Sequence, residues 1–280
     1  MTGVIDTGGG LRGIFGAGVF DYCLDKQIDF DYCIGISAGS ANVVSYIGGQ
    51  KGRNYQFYME YSFRQQYMSF RNFIRTGSYV NLDYVYSDLS NSYGENPLNY
   101  EGIKRSEKIL KIVALNALTG ESIYFDKDDM AQDDYDILKA SSNIPVICKP
   151  YFVKGIPCYD GGLAEPVPIK KAFEEGCEKV VVVLTKPREF LRIPDKDVRI
   201  SRLIRYKYDK VAHSLKTRAE KYNESVALAK EYEKQGKVLI VAPTDISGMR
   251  TLTKNSEGMQ RMYDQGYTAA KSITAFLNAR

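Results

Sequence analysis

Two glycine-framed segments near the N-terminus carry residues whose types and spacing suit acyl transfer. Gly8-Gly9-Gly10-Leu11-Arg12-Gly13 follows an apolar run at residues 4–5, and Gly35-Ile36-Ser37-Ala38-Gly39 closes a second at residues 32–36. In a GxSxG pentapeptide the glycines permit a sharp strand-to-helix turn that lifts the serine hydroxyl off the sheet, and the amide of the next residue, here Ala38, is an oxyanion donor. A glycine run lets successive backbone N–H groups turn toward one point, and the helix that follows adds its positive dipole end. The first segment can therefore hold an oxyanion while the second supplies Ser37 as nucleophile. The first segment also satisfies GxGxxG, with Asp29 or Asp31 near the spacing of a ribose-binding carboxylate, so a dinucleotide site is the rival reading. The serine elbow in the second βα unit counts against it, and without GK[ST] a nucleotide P-loop fits poorly.

A serine hydroxyl needs a neighbour to take its proton. The chain has one histidine, His213, and the order Ser37, Asp160, His213 matches that of an α/β-hydrolase triad. Against it, Ser37 follows a single βα unit where that fold places several strands first. His213 also lies off the apolar stripe of a charged helix, as a solvated residue would. The other candidate is Asp160 in Tyr159-Asp160-Gly161-Gly162, where the glycines allow a tight turn. A hairpin at residues 151–159 precedes it, and the prolines of Glu165-Pro166-Val167-Pro168 stiffen the chain just beyond it.

The elements that must hold these residues can be read from periodicity. Helices are expected at residues 14–24 and from the elbow to about residue 47, and strands at residues 109–115, 122–125, 151–153, 179–184 and 237–241. A long helix is expected over residues 203–233, because Ile204, Tyr208, Val211, Leu215, Ala219, Tyr222, Val226 and Ala229 recur every three or four positions. Strands alternating with helices predict a mostly parallel sheet covered on both faces, a three-layer α/β/α fold in one domain spanning residues 1–280. Residues 55–100 hold 13 of the 34 Tyr and Phe residues, which reads as packing or as an apolar cap or acyl groove over the site.

Composition sets the outer limits. The chain has 280 residues, 44% hydrophobic and 26% charged, an ordinary globular balance, and no run approaches the roughly 18 apolar residues of a membrane span. The glycine-rich start lacks a basic leading region and is interrupted by Asp6 and Arg12, against a signal peptide. Five cysteines without CxxC spacing support neither a disulfide framework nor a zinc site and fit a reducing cytoplasm. The net charge of +4 does not indicate nucleic acid, yet residues 186–221, opening with Lys186 and closing with Lys221, carry 12 Lys/Arg against 5 Asp/Glu. That segment reads as a solvated helix face or as peripheral contact with an anionic membrane surface, Arg192, Arg199, Arg202, Arg205, Lys207 and Lys210 being the cations expected to serve it.

Together, the Gly8 to Gly13 loop, the Gly35 to Gly39 elbow, Ala140-Ser141-Ser142-Asn143-Ile144-Pro145 and Asp160-Gly161-Gly162 resemble the patatin-like phospholipase family, in order and spacing, over residues 1–185. The resemblance implies a Ser-Asp dyad without histidine, with Ser37 as nucleophile and Asp160 as proton acceptor, and an oxyanion hole from the amides of Gly9, Gly10, Leu11 and Ala38. It implies no metal or organic cofactor. Arg12 matches the basic residue of the family's glycine loop, in a structural or anion-facing role. Thr7 stands where many members carry another, often acidic, residue, and the helical, basic part after residue 185 matches only loosely. The expected substrate is a lipid carboxylic ester, a phospholipid or lysophospholipid. The alternatives are a short-chain esterase or thioesterase, and a regulatory protein of the same fold with little turnover.

Overall fold

The computed structural model describes residues 1–279. Eight strands build one sheet: β1 Thr2–Asp6, β2 Tyr32–Ile36, β3 Ile109–Asn116, β4 Ser122–Phe125, β5 Tyr151–Val153, β6 Ile156–Asp160, β7 Lys179–Val183 and β8 Val238–Val241. Their order is β5-β6-β3-β2-β1-β7-β8, with β4 also paired to β3. β3, β2, β1, β7 and β8 run parallel, while β4, β5 and β6 pair antiparallel around β3 and each other. Runs such as Val180-Val181-Val182-Val183 have no polar face to offer water, as strands buried on both sides require.

The helices are α1 Ile14–Asp25, α2 Ala38–Ile47, α3 Arg53–Met59, α4 Phe70–Thr76, α5 Tyr100–Arg105, α6 Asp136–Ser141, α7 Ile169–Glu174, α8 Asp195–Ile204, α9 Asp209–Lys234, α10 Ser256–Ala269 and α11 Lys271–Asn278. Because successive strand side chains point to opposite faces, the sheet splits its residues between two cores. Val4, Cys33, Ile112 and Val181 join the core of α1, α2 and α10. Ile5, Ile34, Val113 and Val182 join that of α7 and α9, through Ile169, Ala172, Tyr222 and Val226. The fold is thus the expected three-layer α/β/α arrangement with a mostly parallel sheet. The C-terminal part belongs to it: β8 extends the sheet, and Tyr263 of α10 donates to Asp21 of α1 at 2.8 Å.

One expectation fails. The helix expected over residues 203–233 is two helices, α8 and α9, interrupted at residues 205–208. The break folds α8 back so that Ile204 joins Val211 and Leu215 in a small core against Leu115 and Tyr159. Among the described residues no helix is long and apolar enough to cross a membrane.

Candidate active site

β1 lies between β2 and β7, so the chain winds outward from it in two directions, and the loops at the carboxyl ends of these strands border one crevice. The glycine loop leaves β1 there, the serine elbow leaves β2, and Thr185 and Lys186 come just after β7.

The two glycine segments interlock. A side chain at Gly8 would collide with the Ile36 carbonyl oxygen, and one at Gly39 with the Asp6 carbonyl oxygen, so glycine is needed at both positions for the loops to touch. Asp6, fully buried, fastens this contact by accepting from the Gly8 amide at 2.9 Å and from Asn42 Nδ2 of α2 at 2.8 Å. Burial pushes its pKa up to about 6 against the opposing pull of both hydrogen bonds. Sequence reading passes over Asp6, although a carboxylate closing an apolar strand before a glycine run is a readable signal.

Ser37 caps α2 with φ 55° and ψ −132°, a left-handed conformation that a non-glycine residue holds only under constraint. The constraint is visible: the Ser37 amide donates to Ser141 Oγ at 2.9 Å, Ser141 Oγ donates to the Val113 carbonyl at 2.6 Å, and Ser40 Oγ donates to the Ser37 carbonyl at 2.6 Å. Ser141 thus ties the elbow to β3. Its neighbour Asn143 places the last residue of β6, because the Asn143 carbonyl accepts from the Asp160 amide at 2.8 Å.

Asp160 is 7% exposed and faces Ser37, itself 8% exposed. Burial raises the Asp160 pKa above the ordinary carboxylate range; Arg218, the Ser37 hydroxyl, the Gly162 amide and Arg192 each draw it back. The carboxylate's aligned donor is the Gly162 amide at 2.8 Å, and the contact with Ser37 is looser, as unliganded catalytic pairs often are. Gly161 packs on the Val113 carbonyl, and the Gly162 carbonyl accepts from Arg218 Nε at 3.3 Å. His213 is exposed on α9.

The expected oxyanion donors divide. The Leu11 amide is occupied, donating to the Thr251 carbonyl at 2.8 Å, because the loop after β8 reaches over the glycine turn. Leu11 is therefore not a free donor here, whereas the amides of Gly9, Gly10 and Ala38 have no hydrogen-bond partner among the described residues. Thr251 is invisible to sequence reading because it lies some 240 positions from the loop it touches.

Two unlike walls flank the serine. On one side an apolar cleft, with about 50 Å³ of free space, is lined by Tyr58, Tyr67, Val85, Tyr86, Ile144 and Leu252, and it reaches Ser37, Gly10 and Ala38. The aromatic-rich stretch supplies much of this wall and packs into the core as well. The other wall is cationic. Arg12, 8% exposed, lies near Arg192 and Arg218, and these three with Asp197 act on the Lys186 ammonium. The basic segment is therefore not one surface. Lys186, Arg192 and Arg218 turn inward, Arg192 onto Asp197 at 2.7 Å, while Arg199, Arg202, Arg205, Lys207 and Lys210 stay in solvent.

Residues 7–173 match the family model "Patatin-like phospholipase", and residues 208–278 match one described only as a domain of unknown function, DUF6363. The chain is 30% identical over 200 residues to "Uncharacterized protein YjjU" of Escherichia coli K12, covering 67% of this chain and 52% of that protein. It thus spans about half the length of that curated relative. The crystal structure of VipD from Legionella pneumophila superposes with a TM-score of 0.50 at 14% identity, over 98% of this chain and 66% of that one, a likeness of fold. With well over half of its length matched by the family model, the chain belongs to the patatin-like phospholipases, a family of lipid acyl hydrolases.

Proposed function

We propose that this protein hydrolyses carboxylic esters of lipids through Ser37 and Asp160, with the oxyanion held by the amides of Gly9, Gly10 and Ala38. The observation that carries this reading is the strained Ser37 elbow facing a buried carboxylate of raised pKa at the end of an apolar cleft. The Ser37 proton passes to Asp160 as Oγ attacks the ester carbonyl. The tetrahedral oxyanion then collapses, and the leaving alkoxide takes the proton from Asp160. Water, deprotonated in turn by Asp160, cleaves the acyl-enzyme and releases the acid and free Ser37. Desolvation makes the carboxylate a better base than in water, since a pKa near 4 suits proton abstraction poorly at neutral pH.

The test is labelling by a fluorophosphonate probe, followed by turnover of p-nitrophenyl esters of increasing chain length. Labelling should vanish in Ser37→Ala and slow by about a hundredfold or more in Asp160→Asn. Wild-type labelling retained in Ser37→Ala would defeat the assignment. The narrowness of the cleft favours a second reading, a short-chain esterase, and turnover that peaks at butyrate and is lost by decanoate would select it.

A further inference from the structure

We propose that Arg12, Lys186, Arg192 and Arg218 form an anion pocket beside Ser37 that takes a phosphomonoester dianion, the headgroup of an anionic lipid ester. The lipid part of this inference rests on the acyl-hydrolase reading above; the phosphate part does not.

Charged groups withdrawn from water are ordinarily paired, because an unmatched buried charge is costly. Here they are not. The Arg12 guanidinium makes no hydrogen bond or ion pair among the described residues, and its Nε is wholly buried without an acceptor. Lys186 likewise has no hydrogen-bond acceptor or carboxylate partner among them; its ammonium stands over the rings of Phe190 at 3.6 Å and Tyr222 at 5.6 Å. Arg218 gives Nε to the Gly162 carbonyl but forms no ion pair among the described residues. Only Arg192 is matched, with Nε and Nη2 both on Asp197 Oδ2 at 2.9 and 2.7 Å.

The carboxylates that face the four cations are Asp160 and Asp197, so the pocket carries an excess of about two positive charges. Burial, and then repulsion from Arg192, Arg12 and Arg218, drives the Lys186 pKa down to about 7; burial and Arg192 bring Arg12 to about 10. A phosphomonoester brings two negative charges and three acceptor oxygens, and guanidinium groups meet such oxygens in their fork geometry. With Asp197 already paired and Asp160 assigned to proton transfer, no other carboxylate among the described residues faces these cations to receive a choline or ethanolamine cation, and the cations themselves repel it, so a zwitterionic head fits less well.

Position links the pocket to the chemistry. A Cβ at Gly9 would lie 3.4 Å from Arg12 Nη2, and one at Gly162 would lie 3.2 Å from Asp160 Oδ1 and 3.8 Å from Arg218 Nη2. The cations therefore border both the oxyanion loop and the base. Lys186, Arg192 and Arg218 all lie beyond residues 7–173, which makes the pocket a contribution of the C-terminal part rather than of the segment matched to the family.

Inorganic phosphate is the probe for the pocket alone. Calorimetric titration at pH 6.5 should show binding to the wild type that weakens about tenfold or more in Lys186→Met and in Arg12→Met, and hardly at all in Lys26→Gln, which removes an exposed charge at the far end of α1. At pH 8.5 binding should take up a proton, because the anion restores charge to Lys186. Thermal unfolding checks the fold: Lys186→Met, which relieves a buried charge, should unfold at a higher temperature than the wild type, whereas loss of a merely structural lysine would lower it. In vesicles, kcat/KM for phosphatidic acid should exceed that for phosphatidylcholine, and the ratio should fall toward one in Lys186→Met. Phosphate binding without headgroup preference would keep the pocket and assign it to a soluble phosphate. Absence of phosphate binding to folded wild type at millimolar concentration overturns the inference. If phosphate binds but no ester is turned over, it is the acyl-hydrolase reading that fails.

Discussion

Residues 186–221 contain two populations of cations that composition cannot tell apart. Lys186, Arg192 and Arg218 point into the protein, beside the base and the glycine loop. Arg199, Arg202, Arg205 and Lys207 stand in solvent among the exposed apolar side chains of Leu191, Ile193, Leu203 and Tyr206. The inner group sits where water is scarce, so each charge is felt by its neighbours and by any ligand with little screening. The outer group is hydrated, and its charges act weakly one by one and add only against an extended anionic surface. The same residue types can therefore recognise one compact anion or a sheet of them, and the difference is set by which way the backbone turns after β7.

The largest effect that separates the two groups is expected at a membrane. We propose that the outer group, with its interleaved apolar residues, makes peripheral contact with anionic lipid. At ~1 kcal/mol for each cation near such a surface, Arg199→Glu, Arg202→Glu and Arg205→Glu combined should lower partition onto phosphatidylserine-containing vesicles by more than about a hundredfold. Phosphate affinity, set by the inner group, should stay within about twofold. Unchanged vesicle sedimentation would leave the outer group as an ordinary solvated face.

A smaller contrast should appear with salt. Raising sodium chloride from about 0.05 to 0.5 M shortens the screening length from more than 10 Å to less than 5 Å. Vesicle binding should then fall at least tenfold, while phosphate affinity, measured in the same buffers, should fall by only a few fold. Parallel losses would mean that the inner cations are as hydrated as the outer ones, and the distinction would collapse.

Much of the frame was legible in the sequence, and the reason is locality. The bounds of β2, β4 and β5 are set by residues inside those segments. Ser37 and its glycines sit within five consecutive positions, and the strand before and the helix after them can be read nearby. What escaped depends on contacts between distant segments. Nothing near residue 251 announces that its carbonyl will take the Leu11 amide, and nothing near residue 205 announces that the helix is interrupted there. The inward turn of Lys186 and Arg218 was equally hidden, since helical spacing places Arg218 on a face of α9 without saying what that face meets, and Lys186 lies in the loop after β7, where no periodicity fixes its direction. Arg192, grouped by composition with the surface cations, is ion-paired to a buried aspartate.

The finest test of the inner group is on the base itself. Asp160 must be ionised to accept the serine proton, so on the acid side turnover rises with pH through its pKa. Burial holds that pKa above the ordinary carboxylate value of 3.8, and Arg218 is the first among the groups that pull it back. Removing the arginine's charge should let desolvation act with less opposition. In Arg218→Gln the acid limb of kcat for an uncharged p-nitrophenyl ester should therefore move to higher pH. The linked stability has the same sign. A carboxyl whose folded pKa is raised contributes stability that is complete below its unfolded pKa and is lost as pH rises through the folded value, so in the variant that loss should begin at the same pH but continue to a higher one. A limb that stays in place, or moves to lower pH, would show that Arg218 does not act on Asp160 and would detach the cationic wall from the chemistry of the serine.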